Sequence, residues 1–555
     1  MAGKTALDKD LKKYSRLEKA RYRVGRENFN LGLGVLFLLG VLGYAIIQAG
    51  NYEGNTLVIV AAVIGGYMAL NIGANDVANN VGAAVGSGAL TLLGALVIAG
   101  IFEAAGAIIA GGDVVKTISK GIIDPSAIPS AEVFVWAMMA ALLAAAIWIN
   151  LATFLGAPVS TTHSIVGGVM GAGIAAAGVS AVDWGKMSEI AASWVISPVL
   201  GGLIAAGFLA AIKYLVIFKE DKVAAAQRWV PVFVAVMAAA FVMYLMVKGL
   251  KRIISVDMTM VGIGGLIAFL LGYVIVRHFV NRAAGGMENR RRSVSNLFTI
   301  PLIFAAALLS FAHGANDVAN AIGPLAAIVS TVSSGEIVKT AAIPSWIMVV
   351  GAIGIAAGLA LYGPKLIRVV GEKITKLDRA RAFCVALSAA ITVLIASALG
   401  LPVSSTHIAL GAIFGVGFLR EIVANNRRQS FATAPLAAGS PLPSTAPQMP
   451  APPTSTSPAT PPPSTGPAPP PPSTTPLATV PPAGLGPKAD GLTEAARAGL
   501  VLTNAELKTI KKARKRKLVR RRYVFAIAAA WVITVPAAAM LSAMFFFMLR
   551  GMLLP

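Results

Sequence analysis

The chain has 555 residues, 56% hydrophobic and 13% charged, with a mean hydropathy of +0.75. That balance excludes a soluble domain with a polar surface and identifies a polytopic membrane protein. Lys plus Arg number 47 against 24 for Asp plus Glu, but the excess collects between apolar runs, which points to cytoplasmic loops and not to a nucleic-acid partner.

In chain order, a basic extension over 1–29 precedes an apolar run at 30–49. Its long charged flank does not have the form of a cleavable signal, so 30–49 is expected to be a retained first transmembrane helix with a cytoplasmic N-terminus. Runs near 56–72, 90–112, 133–155, 163–180 and 191–217 follow, and together they are expected to make a first repeat over 56–217. The connecting segment 218–294 holds two further helices, near 229–250 and 258–280, and the arginines Arg282, Arg290, Arg291 and Arg292. Runs near 295–312, 345–363, 383–400 and 407–419 form the second repeat over 295–419, completed by a last helix at 523–549. Between them lies 420–522, with tracts such as "PAPPPPSTTP" and then a basic stretch from Lys508 to Arg522. Such composition buries too little apolar surface to offset its ordering entropy, so a disordered cytoplasmic insertion is expected. Cys384 is the single cysteine, which precludes an intrachain disulfide.

The repeat is written in two motifs. GANDVAN occupies Gly73 to Asn79 and returns at Gly314 to Asn320, 241 positions later; "GAPVSTTHSIVGGVMG" returns as "GLPVSSTHIALGAIFG", with Pro158 and Pro402 separated by 244. A weaker echo joins "SWVISPVLGG" to "AWVITVPAAA", the tryptophans 337 positions apart, the extra length being that of the Pro-rich insertion. Counting crossings from a cytoplasmic N-terminus starts the first repeat outside and the second inside. The predicted fold class is therefore all-α, with two inverted-topology repeats and broken or re-entrant helices, as in secondary transporters whose site lies mid-membrane at the repeat interface.

An intramembrane carboxylate needs a partner and a purpose. Asp76 and Asp317 each have Asn one residue before and three after, so Asn75, Asp76, Asn79 and Asn316, Asp317, Asn320 offer hard oxygen ligands to a small monovalent cation, or a carboxylate to a proton. An interfacial helix cap is the plain alternative. Glu103, in "GIFEAAGAIIAGG", has Ile355 at the corresponding place in the second copy, and an acid present once is a candidate for a coupling ion or for helix pairing. In the other motif a proline followed by Ser160, Thr161 and Thr162, or by Ser404, Ser405 and Thr406, sets hydroxyls and unpaired N–H groups at the positive end of a helix, an anion site when two such ends face each other. Neither motif contains Lys or Arg, so co-bound cations would balance the anion. His163, His407 and His313 fit either proton relay or helix packing. Lys116 and Lys120, on the predicted outer side, read as solvated loop charges that could also attract anions.

With these residues in place the chain resembles the inorganic phosphate transporter (PiT) family. The resemblance rests on "NIGANDVANNVGAAVGSGALT", "IFEAAG", "PVSTTHSIVGG", "FAHGANDVANAIGPLAA" and "GLPVSSTHIALGAI" and covers roughly 55–420 plus 523–549. It implies a homodimeric transporter, not an enzyme, in the bacterial cytoplasmic (inner) membrane, taking up inorganic phosphate by alternating access with sodium, or protons, as co-transported cation and no resident cofactor. Carried over by position, the cation-binding pairs are Asn75, Asp76, Asn316 and Asp317, and the phosphate-contacting hydroxyls Ser160, Thr161, Thr162, Ser404, Ser405 and Thr406, with Asn75 and Asn316 also near substrate. Glu103 matches a glutamate of sodium-coupled relatives, but Ala386 stands where those relatives carry another. A permease for sulfate or another tetrahedral oxyanion is the nearest alternative, then a channel; a serine hydrolase using Ser160 or Ser404 with histidine is a distant one.

Overall fold

The computed structural model describes residues 6–50, 54–155, 159–250, 255–337, 343–373, 377–433 and 521–551. Within a bilayer every backbone N–H and C=O must find an internal partner, so long apolar segments fold as helices, and twelve helices among the described residues are long and apolar enough to cross a membrane. In chain order the described helices, spanning and short, are α1 (Ala6–Ala49), α2 (Asn55–Gly86), α3 (Leu92–Ala110), the short α4 (Gly112–Lys120), α5 (Ala131–Leu155), α6 (Thr161–Ala177) and α7 (Trp184–Ile212), which ends in a π-turn at Lys213–Ile217. Then come α8 (Lys222–Lys248), α9 (Met258–Ala284), the short α10 (Arg291–Asn296), α11 (Thr299–Asp317), α12 (Ala319–Ser334), α13 (Ser345–Lys373), α14 (Arg379–Ala398), α15 (Ser405–Thr433) and α16 (Arg521–Gly551). The described residues up to Ile422 and those from 521 onward fall in one compact unit, and 423–433 fall outside it. Of the Pro-rich insertion proposed for 420–522, residues 434–520 lie outside the described residues.

Several boundaries differ from the sequence expectation, among them the start of α1 at Ala6 and the end of α13 at Lys373. The run expected to stop at 72 continues through GANDVAN to Gly86 as the unbroken α2, whereas in the second copy the helix is interrupted at Val318, between α11 and α12. The second copy carries Pro324 where the first has Ala83, and a proline ring with no N–H loosens the turn that precedes it. α15 runs past 419 to Thr433 because "REIVANNRRQ", although polar, contains no helix breaker.

Close helix approach depends on glycine, and the contacts come in reciprocal pairs. A Cβ on Gly73 of α2 would strike the carbonyl of Ile355 on α13, and one on Gly314 of α11 the carbonyl of Glu103 on α3. Likewise Gly358 meets Leu70 and Gly106 meets Phe311. The second motif behaves the same way: Gly167 and Gly171 of α6 abut Val535 and Ala539 of α16, while Gly411 and Gly415 of α15 abut Pro198 and Gly202 of α7. Each of these glycine contacts between the copies is matched by its counterpart with the copies exchanged. Small residues buy this proximity where apolar burial supplies no drive between helices.

Candidate functional site

The heptapeptides lie deep in this packing, and Asn75, Asp76, Asn79, Asn316, Asp317 and Asn320 are all buried. So are Ser160, Thr161, Thr162, Ser404, Ser405 and Thr406 at the starts of α6 and α15. The two motifs meet. Thr161 donates to Asp76 Oδ2 at 2.8 Å, and Ser405, its counterpart, donates to Asp317 Oδ2 at 3.0 Å. Asn79 donates to the Thr406 hydroxyl at 2.7 Å, and Asn320 to the Thr162 hydroxyl at 3.1 Å. Both pairs obey the internal symmetry, and both of the second kind join one copy to the other. Asn320 also reaches the Thr161 hydroxyl at 3.2 Å, and Thr406 donates to Asp76 Oδ1 at 3.0 Å. Asp76 thereby holds a hydroxyl from each of the two helix starts.

Four of the sequence candidates face other work. With its amide oriented to satisfy every neighbour, Asn75 accepts from Thr153 at 2.8 Å and donates to the Val159 carbonyl at 3.1 Å and to Asp76 Oδ1 at 3.2 Å. Asn316 donates to Ser397 and to the Leu401 carbonyl at 3.0 and 3.1 Å and accepts from the Val403 N–H at 3.3 Å. Both asparagines thus fix the chain leading into a helix start. Ser160 is the N-cap of α6, accepting from the His163 N–H at 3.1 Å, and Ser404 accepts from the His407 N–H at 3.3 Å. Thr153 and Ser397, unremarked in the sequence, are related by the same 244-residue offset as the prolines, and that offset was the signal that could have found them.

Not every contact is matched: Thr162, the counterpart of Thr406, donates to the Val403 carbonyl and not to Asp317, and the copies also differ around Glu103. Glu103, opposite Ile355, sits 3.4 Å from His313 Nδ1, and His313 occupies the position matching Ile72. His313 Nε2 lies 3.0 Å from Asp317 Oδ2 and 3.8 Å from Asp76 Oδ2. Asn80, matching Ala321, donates to Glu103 Oε1 at 2.6 Å. Three polar residues present in one copy only are therefore contiguous, and they link Glu103 to both aspartates. Ligand atoms of Asp76, His313 and Asp317 lie within 4.8 Å of one another, a spacing that suits one small cation. His163 and His407 are elsewhere: their rings are 4.8 Å apart, and His163 stacks on Trp194 with centroids 3.7 Å apart. On α4, Lys116 is exposed, and partial burial draws the Lys120 ammonium below its ordinary pKa.

Residues 72–542 match the model of the phosphate transporter family. The chain belongs to that family. A "Putative phosphate permease" of Helicobacter pylori strain J99 is 47% identical over 545 residues, covering 97% of this chain and 98% of the relative. A relative from Pyrococcus abyssi, again described as a phosphate permease of that standing, is 40% identical over 371 residues, 66% of this chain and 90% of its own. Among solved structures, "The sodium-dependent phosphate transporter" superposes with a TM-score of 0.68 at 31% identity, over 90% of this chain and all of that one. The buried constellation accordingly belongs to a multi-span membrane protein of a phosphate-transporting family, and the serine-hydrolase alternative falls away: members of this family are permeases.

Proposed function

We propose that the protein imports inorganic phosphate across the bacterial cytoplasmic membrane, coupled to sodium in preference to protons, by alternating access of two oppositely oriented repeats. The observation that carries the reading is the shared use of hydroxyls: Thr161 and Thr406 donate to Asp76, and Ser405 donates to Asp317. Two buried carboxylates that hold these donors also repel an oxyanion. A cation bound among Asp76, Asp317, Asn79 and Asn320, with Glu103 behind His313, neutralises the carboxylates and frees the hydroxyls and the N-terminal amides of α6 and α15 to turn to phosphate. Anion binding then depends on prior cation binding, which is the thermodynamic content of symport.

The sodium-dependent transporter among the solved structures supports sodium as the driving ion. Positive-inside counting supports a cytoplasmic N-terminus, and the exposed apolar faces of α1, α9 and α16 suit lipid or a second copy, so a homodimer is part of the reading. Sulfate is the competing substrate, since helix ends bearing hydroxyls serve any tetrahedral oxyanion.

The test is uptake of labelled phosphate into proteoliposomes with inward sodium and pH gradients imposed separately and sulfate as competitor. Accumulation should follow the sodium gradient and resist sulfate, and Asp76→Asn with Asp317→Asn should abolish it. Undiminished accumulation in the double variant would end the coupling role.

A further inference from the structure

At the end of the bundle where α2 gives way to α3 and α14 begins, three arginines gather around one carboxylate, with Arg379 alongside. Asp378, the N-cap of α14, has Oδ1 occupied by the Arg381 N–H at 3.0 Å. Its Oδ2 is shared by Arg381 Nη2 at 2.7 Å and Arg291 Nη2 at 3.3 Å. That carboxylate is saturated. Arg420, on α15, feels the charges of Arg381, Arg291 and Asp378 but has no carboxylate within ion-pair distance among the described residues. Arg379 spends its guanidinium on neutral acceptors, Asn296 Oδ1 at 2.8 Å and the Gly88 carbonyl at 3.2 Å. Glu421, beside Arg420, has a partner of its own.

The cluster is buried on one side and open on the other. The Arg381 side chain is 14% exposed and that of Asp378 29%, Arg379 and Arg420 are half-buried, and Arg291 is 56% exposed. Like charges brought together with partial loss of water repel one another, and a counter-charge that enters from the open side relieves that repulsion. The guanidinium fork matches the oxygens of phosphate in number and spacing, which a lone chloride does not exploit. Basic pockets between transmembrane helices at the positively charged face are the places where phosphate headgroups bind.

We infer that Arg291, Arg381 and Arg420, with Asp378 holding two of them in place, form a second oxyanion site, distinct from the buried hydroxyl site, for a phosphate group carried by an anionic lipid or by free phosphate on the basic side of the membrane. The ligand bridges α10 to α14 and α15; α14 and α15 are joined directly by 399–404, whereas α10 reaches them only through α11, α12 and α13. It therefore fastens the beginning of α14 to the middle of α15.

The experiment uses the full chain, purified and delipidated in mild detergent. Native mass spectrometry with added phosphatidylglycerol or phosphatidylcholine reads the lipid source, and equilibrium dialysis with labelled inorganic phosphate reads the free one. If a lipid headgroup is the ligand, phosphatidylglycerol is retained and phosphatidylcholine is not, and Arg291→Gln with Arg420→Gln lowers retention about ten-fold. If free phosphate is the ligand, dialysis finds one bound equivalent that survives Asp317→Asn and disappears in the arginine variant. Because Asp317→Asn removes the hydroxyl site but not this one, failure of either reading leaves the other intact. Should the double variant aggregate, Arg420→Lys serves instead, its monodispersity checked by gel filtration; it keeps the charge, loses the fork and should retain the ligand more weakly. Absence of both lipid and phosphate binding, or equal binding in a monodisperse variant, overturns the site.

Discussion

Asp76 and Thr406 stand 330 positions apart in the chain and 3.0 Å apart in the structure. The contact ties the first heptapeptide to the second helix start, so a carboxylate from one copy reports directly on a hydroxyl from the other. Thr161 approaches the same carboxylate from its own copy at 2.8 Å. A single carboxylate thus accepts from both helix starts.

Thr406→Val removes that donor and strands the Asn79 amide behind it. A buried hydrogen bond lost with its partner left in place costs about 1–3 kcal/mol, which corresponds to roughly 5- to 150-fold weaker apparent affinity for phosphate. Thr406→Ser should recover most of it. Uptake kinetics in proteoliposomes distinguish the three proteins, and equal affinity for Val and Thr would separate Thr406 from substrate binding altogether.

Glu103→Gln keeps an acceptor for Asn80 but deletes a charge beside His313. Phosphate uptake should fall about ten-fold or more, on the scale of a lost charge-assisted interaction, and its dependence on the driving-ion concentration should shift to higher values. Ile355→Val, at the matching place in the other copy, should do neither. A Glu103→Gln protein with unchanged ion dependence would reduce the residue to helix packing.

Gly73→Ala places a methyl group against the Ile355 carbonyl, whereas Gly262→Ala on α9 meets nothing within 4 Å. Overpacking against backbone, which cannot rotate away, costs about 1–3 kcal/mol or more. Thermal unfolding followed in detergent should therefore show a clear drop for the first variant and almost none for the second. Equal melting of the two would mean that α2 and α13 are free to separate.

Much of the site was written locally. The doubled GANDVAN and the doubled Pro-Val-Ser motif announce themselves because a carboxylate and a row of hydroxyls are costly in an apolar segment, and their near-constant offsets foretell that the copies share one arrangement. Long unbroken apolar runs set the helical, membrane-spanning class, since such a run satisfies its backbone within its own helix, whereas a membrane barrel is built from short alternating strands. What the letters could not decide was division of labour. Asn75 and Asn316 look like ligands beside Asp76 and Asp317, yet helical rotation turns them to the chain entering α6 and α15, and Ser160 and Ser404 become caps. Nor could sequence join Asn80, Glu103 and His313, which lie on three helices and meet only because Gly314 lets α11 settle against the Glu103 backbone. One-dimensional pattern fixes which residues are expensive to bury; which of them touch is settled by interhelical distance, and that distance is set by glycines whose partners sit hundreds of positions away.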